Sequence, residues 1–170
     1  MDDNYKEEIM AANKKVLDYL NSNDIEYEVV EHPRVFTSIE EAKALGIDAD
    51  EIAKCLVINM RGEYVLVVVP GDRRVSNTKL RAALGNKRAR LATEAEMKMD
   101  FPDWELGAIP PLGDLFGLPI YLDIDLIDHE TLLFSAGTHT DSIKIDSADL
   151  INLIRPDITE LCEDQERWAA

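Results

Sequence analysis

Residues 53–74 read AKCLVINMRGEYVLVVVPGDRR, and the architecture turns on them. Two apolar runs rich in β-branched residues, Cys55–Met60 and Tyr64–Val69, flank the turn Arg61-Gly62, a pattern that predicts a β-hairpin. From Val65 to Val69 there is no polar residue, so the second strand has no face to give to water and belongs where a sheet is covered on both sides. Lys54 is the lone charge at the entrance to the first strand. A strand-end lysine can snorkel to solvent; held in a pocket, its compact ammonium would be a fixed positive charge for a carboxylate, a phosphate or an ester oxygen.

On the N-terminal side of the hairpin, Ile9, Met10, Val16, Leu17 and Leu20 recur at close to 3.6 residues and predict an amphipathic helix over 4–22 that ends in the polar run Asn21–Asp24. Ile25, Tyr27 and Val29 alternate with Glu26 and Glu28, the period of a strand with one wet face. A loop with His32, Pro33 and Phe36 follows. Thr37 or Ser38 caps a second helix, Glu40 and Glu41 suit its positive end, and Gly46 suits the left-handed residue that stops it. Asp48 then caps a short turn through Ile52.

On the C-terminal side, Ser76 or Asn77 caps a helix to Leu84, a short strand covers Arg88–Ala92, and Thr93 caps a further helix through Met99. Pro102, Gly107, Pro110, Pro111, Gly113 and Gly117 make 101–118 a loop. Within it, Gly107 to Gly113 joins permissive glycine to rigid proline and can cup a carbonyl oxygen with backbone N–H groups. Strands are expected at 120–124, 131–135 and 142–145, and a helix over 147–154. Pro156 is expected to close the regular structure and leave a fraying acidic tail. The expected fold class is therefore α+β: a single domain with a mixed, mostly antiparallel sheet, closed or partly closed into a barrel and flanked by helices. The N-terminal helix occupies 1–24, the domain body 25–155 and the tail 156–170.

Composition narrows the function. A chain of 170 residues with 46% apolar and 31% charged residues reads as one ordinary globular domain. Cys55 and Cys162 form no CxxC or Cys/His cluster, no apolar run reaches the length of a membrane span, and the start Met1-Asp2-Asp3 is not a signal peptide. The expectation is a cytoplasmic protein with no membrane partner. A net charge of −16 opposes loose binding to nucleic acid. Residues 72–90, however, carry Arg73, Arg74, Lys79, Arg81, Lys87, Arg88 and Arg90 against Asp72 alone, or +6, while the remainder holds 11 bases and 33 acids, or −22. Such a patch is either a solvated helix face or a docking site for a phosphate backbone framed by acidic walls.

The motifs GxSxG, GxxxxGK[ST] and HExxH are absent, which removes several large enzyme classes. Asp123, Asp125 and Asp128 imitate a calcium loop in charge but lack its glycine and its closing glutamate. His32, His129 and His139 match no zinc spacing. No metal and no cofactor is expected. His139 follows Ala136-Gly137-Thr138 at a strand end, where small residues admit a ligand or another backbone, and is placed in a pocket wall.

Taken in order, the helix Glu40–Gly46, the entry Ile52-Ala53-Lys54-Cys55-Leu56-Val57, the run Val65–Val69 into Pro70-Gly71-Asp72-Arg73-Arg74, the loop Gly107–Gly113, the strand Pro119–Asp123 and the strand Phe134–His139 resemble the YbaK/prolyl-tRNA synthetase-associated editing domain family. The resemblance spans 25–155. It implies a trans-editing deacylase that hydrolyses the ester of a mischarged aminoacyl-tRNA, tRNA-Pro carrying a small amino acid, with a synthetase as a further partner and no role for DNA. It also implies a site in which Lys54, backbone at Gly107 and His139 serve the chemistry, with Pro110, Pro111, Gly137 and Thr138 holding the substrate. His32, Phe36, Leu56 and His139 are candidates for the amino-acid pocket, and Arg73, Arg74, Lys79, Arg81, Lys87 and Arg88 for contact with the acceptor stem. The alternative is a non-catalytic module of the same fold that holds a small ligand, a nucleotide or tRNA without turnover.

Overall fold

The computed structural model describes residues 14–165. Helix α1 runs over 14–22; the first part of the expected 4–22 helix lies outside the described residues. The hairpin forms as the sequence predicts, with β2 (Ala53–Met60) antiparallel to β3 (Glu63–Pro70) and Leu56 opposite Val67. On the far side of β3 the chain adds β5 (Ile120–Asp123) and β8 (Asp157–Thr159), both parallel, and on the far side of β2 the two-residue β4 (Arg90–Leu91). This gives a five-stranded sheet in the order β4-β2-β3-β5-β8. A second, antiparallel sheet has the order β1-β7-β6, from β1 (Tyr27–Glu31), β6 (Thr131–Ser135) and β7 (Asp141–Asp146). β1 starts two residues later than the alternation suggests, and Val29 is exposed because β1 is an edge strand.

The all-apolar run on β3 is explained by what covers it. Leu66 and Val68 pack with Leu132, Phe134, Ile143 and Ile145 of the three-stranded sheet and with Val16 and Leu20 of α1. Val65, Val67 and Val69 face the other way, against Leu80 and Leu161. Each of these β3 residues is at most 2% exposed. The helices obey their caps: Thr37 accepts from the Glu40 N–H at the start of α2 (Ser38–Leu45), Ser76 does the same for α3 (Asn77–Leu84) and Thr93 for α4 (Glu94–Asp100). Asp146 caps α5 (Ser147–Ile154).

Two expectations need correction. The sheets do not close into a barrel: β4 occupies the outer edge of β2 at Ile58 and Asn59, and β6 reaches the hairpin only through a bridge between Ile52 and Leu133. Nor does regular structure end at Pro156. Past β8, Leu161 and Cys162 are buried, the Leu161 N–H donates to Asp123, its carbonyl accepts from Ser76, and the Glu163 N–H donates to the Arg74 carbonyl. The calcium-like stretch is likewise structural, because Asp123 is engaged by the backbone N–H groups of Asp125 and Leu161 at the head of a 3-10 turn, Ile124–Asp128.

Candidate active site

Where the two sheets meet, a cavity of about 380 Å³ opens beside the start of β2. Its back wall is the hairpin entry Ile52–Leu56, and its other walls are the loop before α2, the tip between β6 and β7, and Gly107 with Ile109. Of the residues the sequence nominated, Lys54, Leu56, His32, Phe36, Gly107, Thr138 and His139 all line it. Pro110, Pro111 and Gly137 do not; all three are buried, and from the 107–113 loop the cavity is lined by Gly107 and Ile109.

Lys54 is half-buried, and its Nζ donates to the Arg73 carbonyl at 3.1 Å, which engages one of its three protons. The carbonyl is brought there by the Pro70-Gly71-Asp72 turn at the end of β3. Gly71 lets that turn pass: a Cβ there would lie 2.7 Å from both the Ala49 carbonyl and the Ser38 Cβ. Burial lowers the Lys54 pKa below the ordinary lysine value, against the weaker pull of Asp72. Cys55 also borders the cavity, but burial pushes its thiol well up, so it stays protonated and is no nucleophile.

The mouth is held by a set of contacts around His139. Its Nε2–H donates to the Leu106 carbonyl at 2.6 Å, and its backbone N–H donates to Glu105 at 2.7 Å. Glu105 also pairs with Arg34 at 3.2 Å, and the Phe36 ring lies 5.2 Å from the imidazole. Three loops are thereby tied into one rim, with Gly107 in the left-handed region at φ +82 beside the imidazole. Thr138 is turned inward, its hydroxyl donating to Asp141.

His32 brings with it two partners, Ser142 and Glu41, that were not singled out from the sequence as site residues. His32 Nδ1 lies 2.8 Å from the Pro33 carbonyl and Nε2 lies 2.9 Å from the Ser142 hydroxyl, which in turn donates to Glu41. Serine, histidine and an acid side by side suggest a nucleophilic triad, but the order is wrong. Ser142 has no exposed surface and gives its proton to the carboxylate, while the imidazole is oriented by a main-chain carbonyl. Glu41 passes in the sequence as a helix-start acid; its serine partner is 101 positions away.

The basic window is partly neutralised within the chain. Arg73 pairs with Asp125 at 2.7 Å and also donates to the Glu163 carbonyl, Lys79 pairs with Asp164 at 2.8 Å, and Arg81 donates to the Ala89 carbonyl. Arg74, Lys87 and Arg88 are exposed and make no ion pair among the described residues. None of these residues lines the cavity. His129 is elsewhere, 4.0 Å from Asp50.

Residues 32–153 match the family described as the aminoacyl-tRNA editing domain. The chain belongs to that family. Among curated relatives, this editing domain is 34% identical over 93 residues to the proline–tRNA ligase of Thermosipho melanesiensis, covering 55% of this chain and 16% of the ligase. It is 32% identical over 110 residues to that of Staphylococcus aureus, covering 65% and 19%. The chain thus spans under a fifth of the ligases it matches. Among solved structures, a protein proposed to be a trans-editing enzyme for prolyl tRNA synthetase superposes with a TM-score of 0.80 at 27% identity, covering 90% of this chain and 98% of that one. No helix among the described residues is long and apolar enough to cross a membrane.

Proposed function

We propose that this editing domain hydrolyses, in trans, the ester joining a wrongly attached small amino acid to tRNA-Pro. The observation that supports the reading is a half-buried lysine that lines, together with Gly107 and His139, a cavity of about 380 Å³. An aminoacyl ester is already activated, so the domain needs to place a water and stabilise charge rather than supply a nucleophile. Water oxygen bonds to the carbonyl carbon, negative charge collects on the carbonyl oxygen, and the C–O bond to the ribose breaks as that ribose oxygen takes up a proton. The neighbouring ribose hydroxyl relays the proton from the water, which accords with there being no base-and-orienter pair at Lys54 among the described residues. Lys54 and the backbone at Gly107 receive the developing charge, and Phe36, Leu56 and His139 bound the side-chain pocket.

The acceptor stem is assigned to the face carrying Arg74, Lys87 and Arg88, with Arg73, Lys79 and Arg81 behind it, and a prolyl-tRNA synthetase is the partner that would deliver the substrate. The test is a panel of mischarged tRNAs offered to wild type and Lys54→Ala. Loss of one oxyanion donor lowers rate by ~10²–10³, so the variant is expected to lose at least that while melting normally. Wild-type turnover by Lys54→Ala overturns the assignment. Binding of a nucleotide with no release of amino acid by wild type selects a non-catalytic module instead.

A further inference from the structure

Among the described residues that line the cavity, Lys54 is the only lysine or arginine and Glu41 the only carboxylate. Glu41 is held by one oxygen. Its Oε1 accepts the Ser142 hydroxyl, and the same oxygen is the one nearest His32. Its Oε2 makes no hydrogen bond or ion pair among the described residues, yet it is not sealed in the interior. The side chain is 7% exposed, and Glu41 is one of the residues that line the cavity. A largely desolvated carboxylate oxygen with no donor from the protein favours a ligand that brings one.

Resting on the deacylase reading above, we propose that Glu41 Oε2 accepts the α-ammonium of the aminoacyl group. The cavity then matches both ends of its ligand: an anion for the ammonium and Lys54 for the ester oxygen or the adjoining phosphate. The site is thereby selective for esters with a free amine, and N-formylated or peptidyl esters, which lack that cation, fall outside its range.

Hydrogen bonds along the wall fix the orientation of the carboxylate. The Pro33 carbonyl can only accept, so His32 Nδ1 carries a hydrogen. Ser142 has one hydroxyl proton to place between His32 Nε2 and Glu41 Oε1. A neutral imidazole with an ionised carboxylate would leave one of these two contacts with acceptor facing acceptor. One further proton satisfies the chain, on Nε2 or on Oε1. His32 and Ser142 act as positioning residues that hold the carboxylate's other oxygen.

The test uses two non-hydrolysable 3′-amides of adenosine, one carrying alanine and one carrying propionate, which differ only in the amine. Affinities are measured for wild type and Glu41→Gln. The glutamine amide can donate to Ser142, which then donates to a neutral His32, so the wall keeps its hydrogen bonds. A hydrogen bond to a charged group is worth on the order of 10- to 100-fold in affinity. Wild type is expected to prefer the alanyl amide by that factor, and Glu41→Gln to lose the preference while keeping its affinity for the propionyl amide. A preference that survives in Glu41→Gln, equal loss of both ligands, or a wild type that does not distinguish or bind them overturns the proposal. A wild type that shows the preference but hydrolyses no mischarged tRNA leaves the ammonium site standing and sinks the deacylase reading.

Discussion

Leu161→Ala tests whether the C-terminal segment is part of the core. Leu161 has no exposed surface and packs against Val65, Val67, Val69 and Leu80, on the face of β3 turned away from α1. Truncating a fully buried leucine removes its transfer free energy and leaves a cavity, together about 2–5 kcal/mol. For a chain of this length, each kcal/mol moves the melting temperature by about 2–4 °C, so a fall of about 4–20 °C is expected. Urea unfolding with an unchanged slope would show that the native state, not the unfolded one, has been altered. Ile158, on β8 but 44% exposed, is the control, and Ile158→Ala should cost a small fraction of the same energy. The segment also fixes the loop that carries the carbonyl bonded to Lys54, through Glu163 to Arg74 and Leu161 to Ser76. Leu161→Ala should therefore lower ligand affinity at temperatures well below its own melt. A change in stability within about 0.5 kcal/mol, the range of ordinary surface substitutions, would refute the packing argument and return residues 157–165 to a loose tail.

Gly71→Ala should destabilise by about 1–3 kcal/mol or more, because the new methyl meets the Ala49 carbonyl and the Ser38 Cβ at 2.7 Å; chemical denaturation measures it. Lys54 releases its proton more readily folded than unfolded, so between its lowered pKa and 10.5 the unfolded chain binds more protons and stability rises with pH. Lys54→Met should flatten that rise, and deacylation corrected for spontaneous hydrolysis should fall on an alkaline limb below 10.5. Thr93→Ala removes the acceptor for the Glu96 N–H and should cost about 1 kcal/mol in thermal melts. Reversing Arg74, Lys87 and Arg88 to glutamate should weaken tRNA binding severalfold and flatten its dependence on salt; an unchanged salt slope would move the docking face elsewhere.

The hairpin, the capped helices and the loop 101–118 were legible because each depends on neighbours in sequence: β-branched runs around Arg61-Gly62, and Thr37, Ser76 and Thr93 in front of amphipathic stretches. Lys54 stood out by contrast with the apolar residues around it. Glu41, Ser142 and Glu105 gave no such contrast. Glu41 sits beside Glu40 where any helix start welcomes acids, and its meaning comes from a serine 101 positions later. β8 was invisible for a related reason, since the three residues Asp157–Thr159 have no period of their own and become a strand only because the edge of β5 is open. The barrel was expected because strands in hairpins often close; whether they do depends on the pairing of edges, which no local pattern records.

The failure of the two sheets to join has its own consequence. Had β6 zipped along β2 beyond Ile52 and Leu133, ladder and side chains would occupy the space in front of Lys54. Because the seam stops after one bridge, the molecule has a vestibule bordered by main chain, and an evolutionary change in its dimensions needs only loop edits at the tip between β6 and β7 or ahead of α2. The size and shape of what the vestibule admits can drift there while the valine strand of the hairpin stays as it is.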